Sequence, residues 1–200
     1  MFSAKLEEGA FDFRMLATFA LKDNLRPNVA SAIKYATVDA GLKVRMVSND
    51  HIETAKAVAL KAGIIKPFEL EVENAVMTGE DFASKVGNIA DKHIYEGEGG
   101  TIQTLDNEET FKSIAKNLKV LARATAEHKK LLVVGLKACG ISTEEFNDEK
   151  LKAQQKKTKL DDMTCKVSVT GEGINDVAAL KEAQVGLAMG TACSSAKDSS

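Results

Sequence analysis

The stretch Val167–Gly190, VSVTGEGINDVAALKEAQVGLAMG, constrains the fold more than any other part of the chain. Apolar alternation over Cys165–Val169 reads as a short strand. A polar loop with two glycines, Thr170 to Asp176, follows it, and Val177–Ala183 starts a helix with Asn175 or Asp176 as its cap. Val185–Met189 then forms the next strand. Two acids, an amide and two glycines therefore gather where a strand ends and a helix begins, which is where an open α/β sheet places its ligand. Backbone amides and the helix dipole favour phosphate there, and clustered carboxylates favour Mg2+.

The remaining composition narrows the class. Two hundred residues suffice for one domain with a real core. A formal charge of −2 gives no basic footprint for nucleic acid and no basic membrane surface. Cys139, Cys165 and Cys193 form no C-x-x-C pair and no zinc spacing, which points to a reduced, cytosolic setting. No run of ~20 apolar residues could span a bilayer, and residues 1–14 read as a leader without the pattern of a secretory signal.

Along the chain, Met15–Leu21 (MLATFAL) reads as a strand and Asn28–Ala40 as a helix opened by Pro27 and stopped by Gly41. Leu42–Val47 reads as a strand, Ser48-Asn49-Asp50 as a polar turn, and Ile52–Ala62 as a helix closed by Gly63. This strand–helix–strand–helix order implies parallel strands. Further on, the pattern gives short elements at Asn74–Met77 (strand) and Gly79–Val86 (helix), a loop at Gly97–Gly100, a helix at Glu109–Asn117, a strand at Leu118–Ala122 and a helix at Ala126–Ala138. Ser142–Asp162 is polar enough for a surface helix or linker, and Thr191–Ser200 starts a last helix. The division expected is 15–140 with 164–200 as one partial domain and 141–163 as the polar link.

TGEGIND and the ALKEAQVGLAMG after it closely resemble the TGDGxND hinge motif and the ALKxAxVGxAMG of P-type ion-pumping ATPases. Two further stretches carry the same resemblance in the same order. KDNLRPNVASAIKYATVDAGLKVRMVSNDHIETAKAVALKAGI, over Lys22–Ile64, is similar to DPLRxxVxxAIxxCxxAGxxVxMVTGDNxxTAxAIAxxxGI, and LKVLARATAEHKKLLVVGL, over Leu118–Leu136, to VxARxxPxxKxxLVxxL. MVSNDHIETAKA and LKVLARATAEHKKLLV look most like the plasma-membrane-type Ca2+-ATPases of that family.

The resemblance implies a haloacid-dehalogenase-like phosphorylation domain: a parallel Rossmann-like sheet flanked by helices. It is incomplete here, because the strand with the phosphoacceptor motif D-K-T-G-T appears nowhere in these residues. The resemblance also implies roles. Lys129 matches the lysine that contacts the phosphoryl oxygens, Asn175 the Asn that holds the phosphoryl group and Asp176 the Asp beside the metal. Glu172 takes the place of the Asp that ligates Mg2+, within the Thr170-Gly171 loop. Ser48 and Asn49 match the Thr-Gly that binds phosphate, Asp50 the following Asp, and Arg123 an Arg near the nucleotide. ATP is the implied substrate and Mg2+ the implied cofactor. The implied partners are the membrane, actuator and nucleotide-binding domains of a pump, with this segment on the cytoplasmic face.

Several positions depart from the pattern. Glu172 is a methylene longer than the family Asp, against an ion that demands tight octahedral geometry. Asn49 adds a side chain where the family has bare backbone, Asn24 replaces a Pro after Asp23, and Ala126 stands where a Pro is usual. Asp50 is as well suited to cap a helix as to meet phosphate. His51, His93 and His128 lack metal spacing and read as surface residues. Asp106–Thr110 (DNEET) faintly echoes the D-x-D-x-T nucleophile of related phosphatases but follows no evident buried strand. Three functions stay open on these residues: a pump's phosphorylation-domain segment that forms no aspartyl phosphate alone, a non-catalytic binding module, and a small phosphatase.

Overall fold

The computed structural model describes residues 15–19, 24–94, 100–138 and 166–200. At its centre β5 (Val120–Ala122) lies between β1 (Met46–Val47) and β2 (Val76–Thr78), and both pairings are parallel. Side-chain alternation along β5 divides the core. Val120 and Ala122 face one way, onto Ala55 and Ala59 of helix α2 (Ile52–Ala62). Leu121 faces the other way, into a larger cluster. That cluster is built from α3 (Gly79–Val86), α4 (Glu108–Asn117) and α5 (Ala126–Ala138). Helices thus cover both faces of a parallel α/β sheet, as the resemblance implies.

Helix α5 is the pillar of the molecule. Leu131 to Leu136 are all buried, so its apolar run is surrounded rather than one-sided. Gly135 is small for a reason: a Cβ there would stand 2.4 Å from the Phe111 ring. Phe111 itself meets Phe82 edge-on, with centroids 6.0 Å apart.

A second parallel pair, β6 (Ser168–Gly171) and β7 (Val185–Ala188), is joined by α6 (Val177–Glu182). Val169 of β6 and Val47 of β1 pack against the same apolar cluster, so both strands rest on one layer. Among the described residues β1 pairs only with β5 and β6 only with β7, leaving one edge of each open.

Helices α2, α3 and α5 have the bounds the sequence predicts, with Gly63 left-handed at φ 78 after α2. Other expectations shift. Residues 15–19 of the predicted strand Met15–Leu21 are exposed coil without a ladder, Leu16 being 95 % exposed, and Ala20 to Leu21 lie outside the described residues. An apolar run becomes a strand only against a partner edge. The predicted strand Leu42–Val47 shortens to Met46–Val47, because the strand it pairs with begins only at Val120. The helix predicted over Asn28–Ala40 is α1 (Val29–Lys34) followed by a wider π turn, Tyr35–Asp39, before Gly41 at φ 67. Its cap, Asn28, is left-handed.

The antiparallel hairpin of β3 (Ile89–Ile94) and β4 (Gly100–Leu105) is absent from the pattern reading, which placed Gly100 in a loop. Its strands lack clean alternation in IADKHI. The Ser142–Asp162 link lies outside the described residues, and the last predicted helix reduces to α7 (Ser194–Lys197).

Candidate functional site

The C-terminal ends of β1 and β6 flank an open cleft of about 430 Å3. Val47, Ser48, Asn49 and Asp50 line it from one side, Thr170, Gly171, Glu172, Asp176 and Met189 from the other, and Lys129 closes it from α5. Eight of the residues singled out from the sequence therefore meet in one place, although they come from three distant stretches of chain.

Two do not. Arg123 is exposed, left-handed at φ 48, and lies outside the cleft lining; its N–H donates to Asp50 O at 3.0 Å. Asn175 is also exposed and outside the lining. Val47 and Met189 line the cleft and carried no chemical signal in the sequence.

Asp176 is the hub. Its Oδ1 accepts from Lys129 Nζ at 2.8 Å, and its Oδ2 accepts from the Glu172 and Gly173 amides at 2.9 and 3.0 Å. The pair is well covered, with side chains 12 % and 21 % exposed. Burial pushes the Asp176 carboxyl up, but Lys129 and the two amides outweigh it and hold the group below its ordinary value. Gly171 makes the fold-back possible, since a Cβ there would stand 2.6 Å from Asp176 Cβ. Asp176 thus satisfies amides before it in the loop and gives no side-chain cap to α6. Two of the loop amides that the sequence reading offered to phosphate, those of Glu172 and Gly173, are already in use.

The opposite wall is a tight polar turn. Ser48 Oγ donates to Asp50 Oδ2 at 2.7 Å and accepts from Asp50 N–H at 3.1 Å. The backbone of Ser48 is pinned to β5 and beyond, its N–H to Leu121 O and its carbonyl from Ala124 N–H, both 2.9 Å. His51, not Asp50, caps α2, accepting from Glu53 N–H at 3.3 Å. His128 is half-buried, not superficial: its Nδ1 accepts from Thr125 N–H and it packs where a Cβ on Gly79 would collide.

Glu172 faces Thr191, whose hydroxyl donates to Oε1 at 2.9 Å, while Cys193 N–H donates to its carbonyl at 3.1 Å. With Asp176 held by Lys129 and two amides and Glu172 tied to Thr191, the acids do not fit a Mg2+ ion as they stand. Among the described residues no three His, Cys, Asp or Glu side chains come together as a metal group. Asp106 does follow a strand with a buried end, β4 with Leu105, but its carboxylate accepts from Asn88 N–H in the turn and takes no part in the cleft.

The chain is 36 % identical over 177 residues to the plasma membrane calcium-transporting ATPase 1 of Gallus gallus, covering 88 % of this chain and 12 % of the relative. It is 34 % identical over 181 residues to the human plasma membrane calcium-transporting ATPase 3, covering 90 % and 12 %. A probable plasma membrane-type calcium-transporting ATPase 8 of Oryza sativa subsp. japonica matches at 32 % over 180 residues, 90 % and 13 %. The chain belongs to the P-type ATPases, as a segment of one. It spans about 12 % of the length of the first relatives it matches. No family model matches it. No helix among the described residues is long and apolar enough to cross a membrane.

Proposed function

We propose that this chain is the phosphorylation-domain segment of an ATP-driven cation pump, with Ca2+ as the transported ion. The observation that carries the reading is the convergence of Ser48, Asn49, Asp50, Thr170, Gly171 and Asp176 with Lys129 on one cleft between two open parallel strand edges. In this reading a strand bearing the D-K-T-G-T aspartate inserts between β1 and β6. That gives the order β2-β5-β1-insert-β6-β7 and delivers the aspartate to the cleft mouth.

Phosphoryl transfer needs positive charge and donors around the moving oxygens. Lys129, at the start of α5, supplies the mobile ammonium. Ser48 and Thr170 supply hydroxyls from opposite walls. Asp176 orients the lysine in the meantime. ATP is the phosphoryl donor of the complete pump, and the remaining pump domains are the partners. Mg2+ belongs to the same reading of the complete protein, but the acids here do not receive it unrearranged.

A synthetic strand peptide ending in Asp-Lys-Thr-Gly-Thr tests the reading. It should protect backbone amides of β1 and β6 from hydrogen exchange. Protection confined to the outer edges, β2 and β7, or no protection, would sink it.

The competing reading is a binding module that has lost catalysis. The Asp176 carboxylate, held by Lys129 and two amides, and the Thr191-bound Glu172 favour it. It predicts that the peptide binds but that no chimeric pump takes phosphate.

A further inference from the structure

His51 and His128 both sit at the starts of helices that border the cleft. His51 is the N-cap of α2, and its Nδ1 accepts from Glu53 N–H at 3.3 Å. It stands where the P-type pattern has Asn, whose amide caps a helix whatever the pH. His128 closes a reciprocal box at the start of α5. Its Nδ1 accepts from Thr125 N–H at 3.3 Å, and its own N–H donates to Thr125 Oγ1 at 3.4 Å. In such a box Glu or Gln is the usual partner.

Both rings accept through Nδ1, so both bonds need neutral imidazole with its proton on Nε2. A proton on Nδ1 sets donor against donor, at helix N-termini whose dipoles already oppose positive charge. His128 meets a second such end, because its ring lies against Gly79, the first residue of α3. The two caps are also joined. Ala124 N–H donates to Ser48 O at 2.9 Å and Arg123 N–H to Asp50 O at 3.0 Å, so the turns before α2 and α5 are bonded to each other. One turn carries Ser48, Asn49 and Asp50 into the cleft, and the other leads to Lys129, next to His128.

We propose that His51 and His128 are positioning residues: as neutral caps they hold the Ser48–Asp50 turn and Lys129 in register, and protonation of either ring releases its helix start. This deepens the phosphoryl-transfer reading and rests on it only for what the register serves. Around His51 the charged groups are Asp50, Glu53 and Lys56, with Arg123 on the adjoining loop and Lys34 and Asp39 on α1 and its π turn. Around His128 they are Glu127, Lys129 and Lys130 on α5, and Glu80 and Asp81 in the first turn of α3. Carboxylates and ammonium groups ordinarily keep their charge between about pH 5 and 8, so histidine is the side chain that switches there. A contribution that needs the neutral ring is present above the imidazole transition and lost as pH falls through it.

A pH titration of the 15N-labelled chain by NMR tests this. The Glu53 amide should move with the His51 ring signal, and the Thr125 and Lys129 amides with that of His128, each at its own ring's midpoint. His128→Gln keeps an acceptor at every pH and should abolish the movement at Thr125 and Lys129; His51→Asn should do the same at Glu53. In urea unfolding, the wild-type folded-to-unfolded ratio should fall at least about tenfold more between about pH 8 and 5 than that of the double variant, the scale of one lost cap.

Amides that stay still while the rings titrate would overturn the proposal, and that arm needs no variant to fold. So would a folded double variant with the wild-type pH step. The peptide experiment reads the β1 and β6 edges instead. Its failure removes the phosphoryl reading and leaves the caps standing, whereas unmoved amides remove the caps and leave that reading.

Discussion

Lys129 and Asp176, 47 residues apart in sequence, meet at 2.8 Å and tie α5 to the loop after β6. The bond joins two of the three stretches that form the cleft. It holds the carboxylate and the ammonium at the place where the family reading needs both.

Removing the carboxylate should cost stability. Asp176→Ala strands Lys129 and two amides, each hydrogen-bonded to a charge, and we expect a loss of about 2 kcal/mol in urea unfolding. Lys129→Ala leaves Asp176 its two amides and should cost about 1 kcal/mol. A double-mutant cycle should return a coupling of at least about 0.5 kcal/mol. Strict additivity would mean the ion pair does not form in solution.

Gly171→Ala should destabilise by about 1–3 kcal/mol, because its Cβ would land 2.6 Å from Asp176 Cβ. Asp176→Gly in the same chain removes the obstructing atom, so the second substitution should cost less in the Gly171→Ala background than in wild type. Equal costs in both backgrounds would place the strain elsewhere.

Gly135→Ala sets two effects against each other. Helix propensity alone favours alanine by about 1 kcal/mol. Overpacking opposes it, because the added Cβ would meet the Phe111 ring at 2.4 Å and Leu105 Cδ1 at 2.7 Å in a fully buried layer. We expect overpacking to win and the melting temperature to fall. A rise would show that the α4–α5 contact is looser than described.

The Glu69–Lys119 pair gives a pH signature away from the cleft. Burial pushes the Glu69 carboxyl up, while the hydrogen bonds from Lys119 Nζ and Lys66 N–H and the two positive charges outweigh it, leaving it below its ordinary 4.5. A folded-state pKa below the unfolded one means the contribution is fully present above about pH 4.5 and is lost as pH falls through the lowered value. Partial exposure limits the pair to no more than about 1 kcal/mol. Glu69→Gln should therefore flatten the acid limb of the stability–pH curve and leave its slope near pH 7 unchanged.

The cleft was largely legible because its residues lie at strand ends in continuous matched stretches. Lys129, Asp176 and Ser48 needed only their order in the chain to be placed. What the sequence hid was how they pair. The letters place Asp176 beside a metal, but its carboxylate accepts from Lys129 and the nearest amides. Arg123 and Asn175 match the family by letter and lie outside the cleft lining. The predicted strand from Met15 fails for the reason that Met46–Val47 survives: ladder partners, not apolar letters, make strands. The β3–β4 hairpin escaped because β3 mixes charges and apolar residues without a period and β4 is mostly polar and opens on a glycine.

A chimera decides whether this cleft is a phosphoryl-transfer site. The chain replaces the matched stretch of the human plasma membrane calcium-transporting ATPase 3, and the product is incubated with Ca2+ and radiolabelled ATP. A phosphoryl-transfer site should give an acid-stable, hydroxylamine-sensitive label that Lys129→Ala reduces by about 100-fold, the scale of one lost charge-stabilising donor. A chimera that folds and reaches the membrane yet takes no label would contradict it.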